Sequence, residues 1–229
     1  MKKKFSKEVA FTLAMCINSI SLSLLVKSDF GIATLSSLPK VLNTIVPDIS
    51  FGMMNFIVQS VVLCIVMMIT KQPKASYTIS FLVGFVFGVM VDGADSVIMF
   101  LPDALTFKLF YFALGWIAIC CGATLFILSA MPLMPFDVVV KDLALFTGKP
   151  VRWVKTVCDL IMVLSSLSLT FVFLQRLVGV GIGTIFMMAF NGWLMGKYMD
   201  WFTQRYDFVC ATRFGQTMND LAAIRPKDE

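Results

Sequence analysis

The stretch MPLMPFDVVVKDLALFTGKPVRWVKTVCD, residues 131–159, decides how the rest of this chain is read. It carries Asp137, Lys141 and Asp142 in a Pro-bounded segment, then Lys155 and Asp159 inside the apolar run that follows. A charged side chain well inside a bilayer costs about 2.5–3.5 kcal/mol even on gentle insertion scales, so it faces a partner or a wet cavity. The question is whether the surroundings are a bilayer.

Composition answers it. Of 229 residues, 59% are hydrophobic and only 14% charged, with a mean hydropathy of +0.87, whereas an ordinary soluble chain carries about 25% charged residues. The net charge of +5 sits in short loops and termini, which fits orientation in a membrane and not a nucleic-acid partner. The partners implied are the lipid bilayer and a small solute; a homodimer is left open. Five of the six cysteines lie in apolar runs, none has C-x-x-C spacing, and histidine is absent. Buried free thiols are expected, with no metal and no cofactor. The start, MKKKFSKEV, has the basic look of a signal peptide but no convincing cleavage site, so it reads as a retained first helix.

Spanning takes about 20 apolar residues. Six windows qualify, at 8–27, 51–70, 77–99, 107–130, 152–174 and 178–199. Segments 31–48 and 131–150 are too short and polar to cross and read as interfacial or re-entrant helices. The tail, 203–229, reads as a short surface helix or disorder. The expected fold is therefore an all-α membrane protein, one domain over 1–229.

The halves resemble each other in order. Residues 28–42 align without gaps on 129–143, placing Ser36 on Asp137 and Lys40 on Lys141. Residues 50–59 align on 150–159, placing Asn55 on Lys155 and Gln59 on Asp159. A G-x3-G-x3-D pattern recurs as Gly84, Gly88, Asp92 and as Gly192, Gly196, Asp200. These matches point to repeats over 8–99 and 107–202. Three spans per half is an odd number, so the second half inserts upside down, a plan that recurs in transporters with sites where helices break.

The Gly31 turn after the first span, the segment Pro135-Phe136-Asp137, the pair Lys155 and Asp159, and the opening Gly181-Ile182-Gly183-Thr184 of the last span carry a further likeness. Over residues 8–202 the chain resembles the YczE/YyaS/YitT-type bacterial integral membrane proteins. That family has an acidic residue in both Pro-bounded segments, where this first half has Ser36, and often Glu at the position of Asp159. Its activity is largely uncharacterised, so the resemblance implies fold and a bacterial plasma-membrane location, not mechanism.

Lys155 and Asp159 stand four apart, so they share a helix face at about 6 Å. Read blandly, Lys155 snorkels to the interface and Asp159 only pairs with it. Read functionally, the pair lines a substrate or proton path with Asn55, Gln59 and Asp137. Asn18 and Asn191 are further candidates, although single amides also serve as packing glue. Gly84, Gly88, Gly192 and Gly196 are assigned to close helix packing, with Asp92 and Asp200 as ordinary solvated charges at helix ends. Asp137, Lys141 and Asp142 also suit a surface helix. With no nucleophile–base set and no phosphate loop, an enzyme is not expected. A small-solute transporter or channel is the first reading. A non-transporting accessory or regulatory membrane protein is the second. The third is a substrate-capture subunit of an ATP-driven vitamin transporter, faintly suggested by Ala10-x3-Ala14, although an inverted duplication does not belong to that plan.

With the N-terminus inside, Lys27, Lys40, Lys108 and Arg176 fall outside and the other fifteen of the 19 lysines and arginines fall inside. Both termini are therefore expected in the cytoplasm. Single-cysteine labelling in a background free of native cysteines checks this: position 72 should react only from the cytoplasmic side, and reaction only from outside would reverse the orientation.

Overall fold

The computed structural model describes residues 2–70, 76–131, 134–175, 178–212 and 216. The basic turn at 71–74 and nearly all of the tail beyond 212 lie outside the described residues. The expected spans emerge as α1 (Lys7–Ser28), α3 (Phe51–Thr70), α4 (Ser76–Ile98), α5 (Leu105–Ser129), α7 (Val151–Leu169, continued by a π-helical turn at Thr170–Leu174) and α8 (Ile182–Arg205). The two segments expected not to cross are the short helices α2 (Thr34–Ile45) and α6 (Pro135–Thr147).

Among the described residues, five helices are long and apolar enough to cross a membrane: Lys7–Ser28, Phe51–Thr70, Tyr77–Ile98, Leu105–Ser129 and Trp153–Leu174. α8 has the length, 24 residues or about 36 Å at 1.5 Å per residue. Asn191, Lys197, Asp200 and Gln204 dilute its apolar character and keep it out of that set.

The connectivity defines two faces. A feature not expected from the sequence holds the first: strand β1 (Lys3–Ser6) pairs in parallel with β2 (Tyr206–Val209), so part of the tail is a strand. Glu8 reinforces the join by accepting hydrogen bonds from the Ala211 and Thr212 N–H groups at 3.1 and 3.0 Å. The start of α1 and the end of α8 therefore share one end of the bundle, the terminal face. At the far face Lys27, at the end of α1, donates to the Met99 carbonyl after α4 and pairs with Asp103 before α5, at 3.1 and 2.9 Å. That ammonium holds the Asp103 carboxyl below the usual carboxylate range. The G-x-G-T opening of α8 is stitched to the same face. Gly183 N–H donates to the Phe30 carbonyl at 2.8 Å, and the Thr184 hydroxyl to the Ile32 carbonyl at 2.9 Å. Gly31 between them sits at φ +114°, and a Cβ there would lie 2.5 Å from Thr184 Oγ1.

α1 and α5 form the central pair. Small residues let them approach: Gly115 meets Leu25 and the Ser21 carbonyl, Gly122 meets Asn18, and Ala10 and Ala14 are fully buried. Both helices end alike. Asp29 and Ala130 take left-handed conformations (φ 60° and 49°), and Ser28 and Ser129 each cap a carbonyl three residues back, at 2.6 and 2.7 Å. α4 packs on α1 and α3, α8 packs on α5, α2 on α7 and α3, and α6 on α3, α7 and α4. Large apolar side chains such as Leu160, Leu164 and Phe171 of α7 and Ile185 of α8 point outward, as lipid contact requires.

Two packing expectations need correction. Gly84 and Gly88 meet Pro135, Phe56 and the Gly52 backbone, but among the described residues nothing lies within 4 Å of where a Cβ at Gly192 or Gly196 would stand. The sequence supplies a reason. On α3 the residue that meets Gly88 is Gly52, and a Cβ there would lie 2.0 Å from the Gly88 carbonyl oxygen. The aligned position on α7 is Arg152, and only glycine permits so close an approach. Asp92, read as a solvated helix-end charge, lies inside α4 and binds the start of α3; the Ser50 hydroxyl donates to it at 2.5 Å and the Gly52 N–H at 2.7 Å. Asp200 is exposed.

Gly52→Ala should therefore destabilise by about 1–3 kcal/mol through overpacking. Gly192→Ala and Gly196→Ala should be neutral or stabilise, by up to about 1 kcal/mol of helix propensity. Melting of the three variants in one detergent tests the contrast.

Candidate functional site

α2 and α6 are not surface helices. Ser36, Ser37, Pro39 and Val41 of α2 are buried, as are Pro135, Phe136, Val138, Val139, Val140, Asp142 and Ala144 of α6. Each lies against helices of both halves. Their first turns lack side-chain caps, since Ala33 and Met134 hold the N-cap positions. The unpaired N–H groups of a helix start favour nearby anions and acceptors.

Asp159 of α7 stands by one of these starts. The Thr34 hydroxyl, at the first residue of α2, stands beside its carboxylate, and its Oδ1 is buried without a partner. Lys155 supplies the opposing charge, yet the two do not close an ion pair; Lys155 acts on Asp137 of α6 as well. Asp137 is therefore part of this interior group and not of a free surface helix. The first half repeats the pattern without charge. Asn55 and Gln59 of α3 are buried at 2% and 7% exposure, and the Ser36 hydroxyl donates to Asn55 Oδ1 at 3.4 Å. Ser36 with Asn55 thus occupies the positions that Asp137 with Lys155 occupies in the second half.

Exposure along α7 grades steeply. Lys155, Asp159, Met162, Ser166 and Thr170 recur at helical spacing on one stripe. Lys155 is exposed, Asp159 half-buried, and Met162, Ser166 and Thr170 are 5%, 0% and 1% exposed. Exposure along the stripe therefore falls from the terminal face inward, and ends below Asp159. Ser166 and Thr170 carry hydroxyls without a partner, whereas Thr70, aligned with Thr170, donates to the Val66 carbonyl at 2.9 Å. The residues missed by sequence reading, Thr34, Ser166 and Thr170, are hydroxyls in apolar runs. Only the pairing of Thr34 with the Pro135 position and the i, i+7, i+11 spacing from Asp159 could have singled them out.

Two sequence candidates stand apart. Asn18 of α1 is buried against Gly122 with Oδ1 unpartnered, and Asn191 of α8 accepts from Trp116 Nε1 at 2.9 Å. Both pack on α5, and no contact joins either to the α7 stripe among the described residues. A second buried carboxylate, Asp142 of α6, accepts the Tyr77 hydroxyl from the start of α4 and ties α6 to the terminal face.

A bundle of long apolar helices around two enclosed short ones, with charge inside, defines a multi-pass helical membrane protein. A family model matches residues 5–200, and the chain belongs to that family, DUF6198, a family of unknown function. Neither a curated protein nor a solved structure matches the chain.

Lys155 acts on both Asp137 and Asp159, so Lys155→Met should lower the melting temperature, through a loss of about 1 kcal/mol of stability given its exposure. Asp159→Asn, which removes a carboxylate whose Oδ1 has no partner, should cost less, and the double variant should recover stability. Equal melting of all four proteins would show that the two charges do not interact.

Proposed function

We propose that this chain is a small-solute transporter or channel of the bacterial plasma membrane, with its polar path between two inverted repeats and both termini cytoplasmic. The observation that carries the proposal is the graded stripe on α7: an exposed cation, a half-buried carboxylate and then buried, unpartnered hydroxyls. A protein that needed only structural stability would satisfy or replace such groups.

Two further observations support the architecture. The strand pair brings the segments before α1 and after α8 to one face, which requires an even number of crossings; α8 is then the sixth, joining five helices of sufficient length and apolarity. The matched serine caps and left-handed residues 101 positions apart, Ser28–Asp29 and Ser129–Ala130, mark corresponding points of a duplication. α2 then enters from the far face and α6 from the terminal face, as the halves of an inverted repeat would. The likeness to YczE/YyaS/YitT-type proteins accords with this arrangement. The activity is non-enzymatic: Lys155, Asp159 and Asp137, with Asn55 and Gln59, bind and pass a solute without transforming it.

The test is a melting screen in detergent against small amines, carboxylates, amino acids and sugars, followed by uptake of any stabilising solute into proteoliposomes with and without a pH gradient. Saturable uptake that is lost in Asp159→Asn, with folding retained, is the expected result. Uptake no faster than in empty liposomes for every stabilising solute would overturn the proposal.

A further inference from the structure

At the far face the seam between α3 and α4 is shut by one carboxylate. Asp92 of α4 takes the Ser50 hydroxyl on Oδ2 at 2.5 Å and the Gly52 N–H on Oδ1 at 2.7 Å. Gly52 lies in the first turn of α3, where backbone N–H groups have no intrahelical partner and an anion is favoured. The carboxylate therefore serves a neighbouring helix and not its own. Just inside it the backbones of Gly52 and Gly88 touch, and Phe56 packs edge-on against Phe85 with ring centroids 5.6 Å apart. Behind this seal lie the buried Asn55 and Gln59.

The corresponding seam, between α7 and α8, is not packed among the described residues. α8 does not pack along α7, no atom lies within 4 Å of where a methyl group on Gly192 or Gly196 would stand, and Asp200 is exposed. On that side Lys155 is exposed as well. The α3–α4 seam is thus tied by a carboxylate, whereas Asp200, which ends the same glycine pattern on α8, is exposed.

We infer that Asp92 is the latch of a far-face gate, closed in this structure. Release of its two hydrogen bonds lets α4 part from α3 and admits far-face water to Gln59. The inference rests on reading the interior as a solute path, but its test reads access and not flux.

In a background with Cys16, Cys64, Cys120, Cys121, Cys158 and Cys210 replaced, Gln59→Cys is the reporter. A charged, membrane-impermeant methanethiosulfonate is applied to sealed vesicles from the far-face side. With Asp92 intact, labelling should be slow. Asp92→Ala should raise the far-face rate about tenfold or more, as loss of charge-assisted hydrogen bonds would, and Ser50→Ala should raise it less. An unchanged rate in an Asp92→Ala protein that still melts cooperatively would overturn the latch. Should Asp92→Ala fail to fold, Ser50→Ala decides: a raised rate supports the latch and an unchanged one overturns it. A raised rate without flux of any solute leaves the latch standing and removes the transport reading, whereas solute flux with unchanged labelling removes the latch alone.

Discussion

A helix of 12 or 13 residues, as α2 and α6 are, cannot cross a hydrocarbon layer about 30 Å thick, and its open ends cannot face lipid. Much of the architecture answers that constraint. α3 and α7 flank both short helices and supply hydroxyls, amides and charges to them, while the close pair α1 and α5 forms the body against which α4 and α8 lie. Non-helical backbone inside a membrane is tolerated only where protein or water encloses it. The polar residues of this chain gather where those breaks occur.

The aligned segments differ in chemistry. Where the first half places Ser36, Asn55 and Gln59, the second places Asp137, Lys155 and Asp159. Where the first has Gly52 in backbone contact with Gly88, the second has Arg152 at the aligned position and open space beside Gly196. Neutral amides can be sealed in a dry interface once their hydrogen bonds are met, whereas a net carboxylate charge needs water or a counter-ion nearby. Difference in charge and difference in packing therefore go together: the neutral segments are tightly packed and the charged ones are not.

Much of the fold is legible in the sequence because apolar runs of about 20 residues and Pro- and Gly-bounded breaks are local signals. Each of the six windows matches a helix to within a few residues, apart from the last, whose helix starts and ends later. The charged interior is legible too, since Lys155 and Asp159 in an apolar run demand explanation wherever they fold. The partners are not. Thr34 reaches Asp159 across 125 positions of sequence, and only tertiary packing decides which of many hydroxyls arrives there. Asp92 misleads for the same reason: a carboxylate near the end of a helix reads as solvated until the neighbouring helix start is known. The glycines of α8 mislead because a repeated motif invites the assumption of a repeated partner, and Arg152 stands at the position that partner would hold.

The β1–β2 pair has a bearing on how the molecule is made. Its hydrogen-bonded register joins Lys3–Ser6, synthesised before every helix, to Tyr206–Val209, synthesised after α8. Parallel strands need a crossover connection, and here the connection is the whole bundle. The early strand therefore stays without its partner until the residues after α8 have been made. Glu8, reaching Ala211 and Thr212, closes at the same moment. The clasp is thus a long-range closure: β1 meets its partner only once the residues that follow α8 exist.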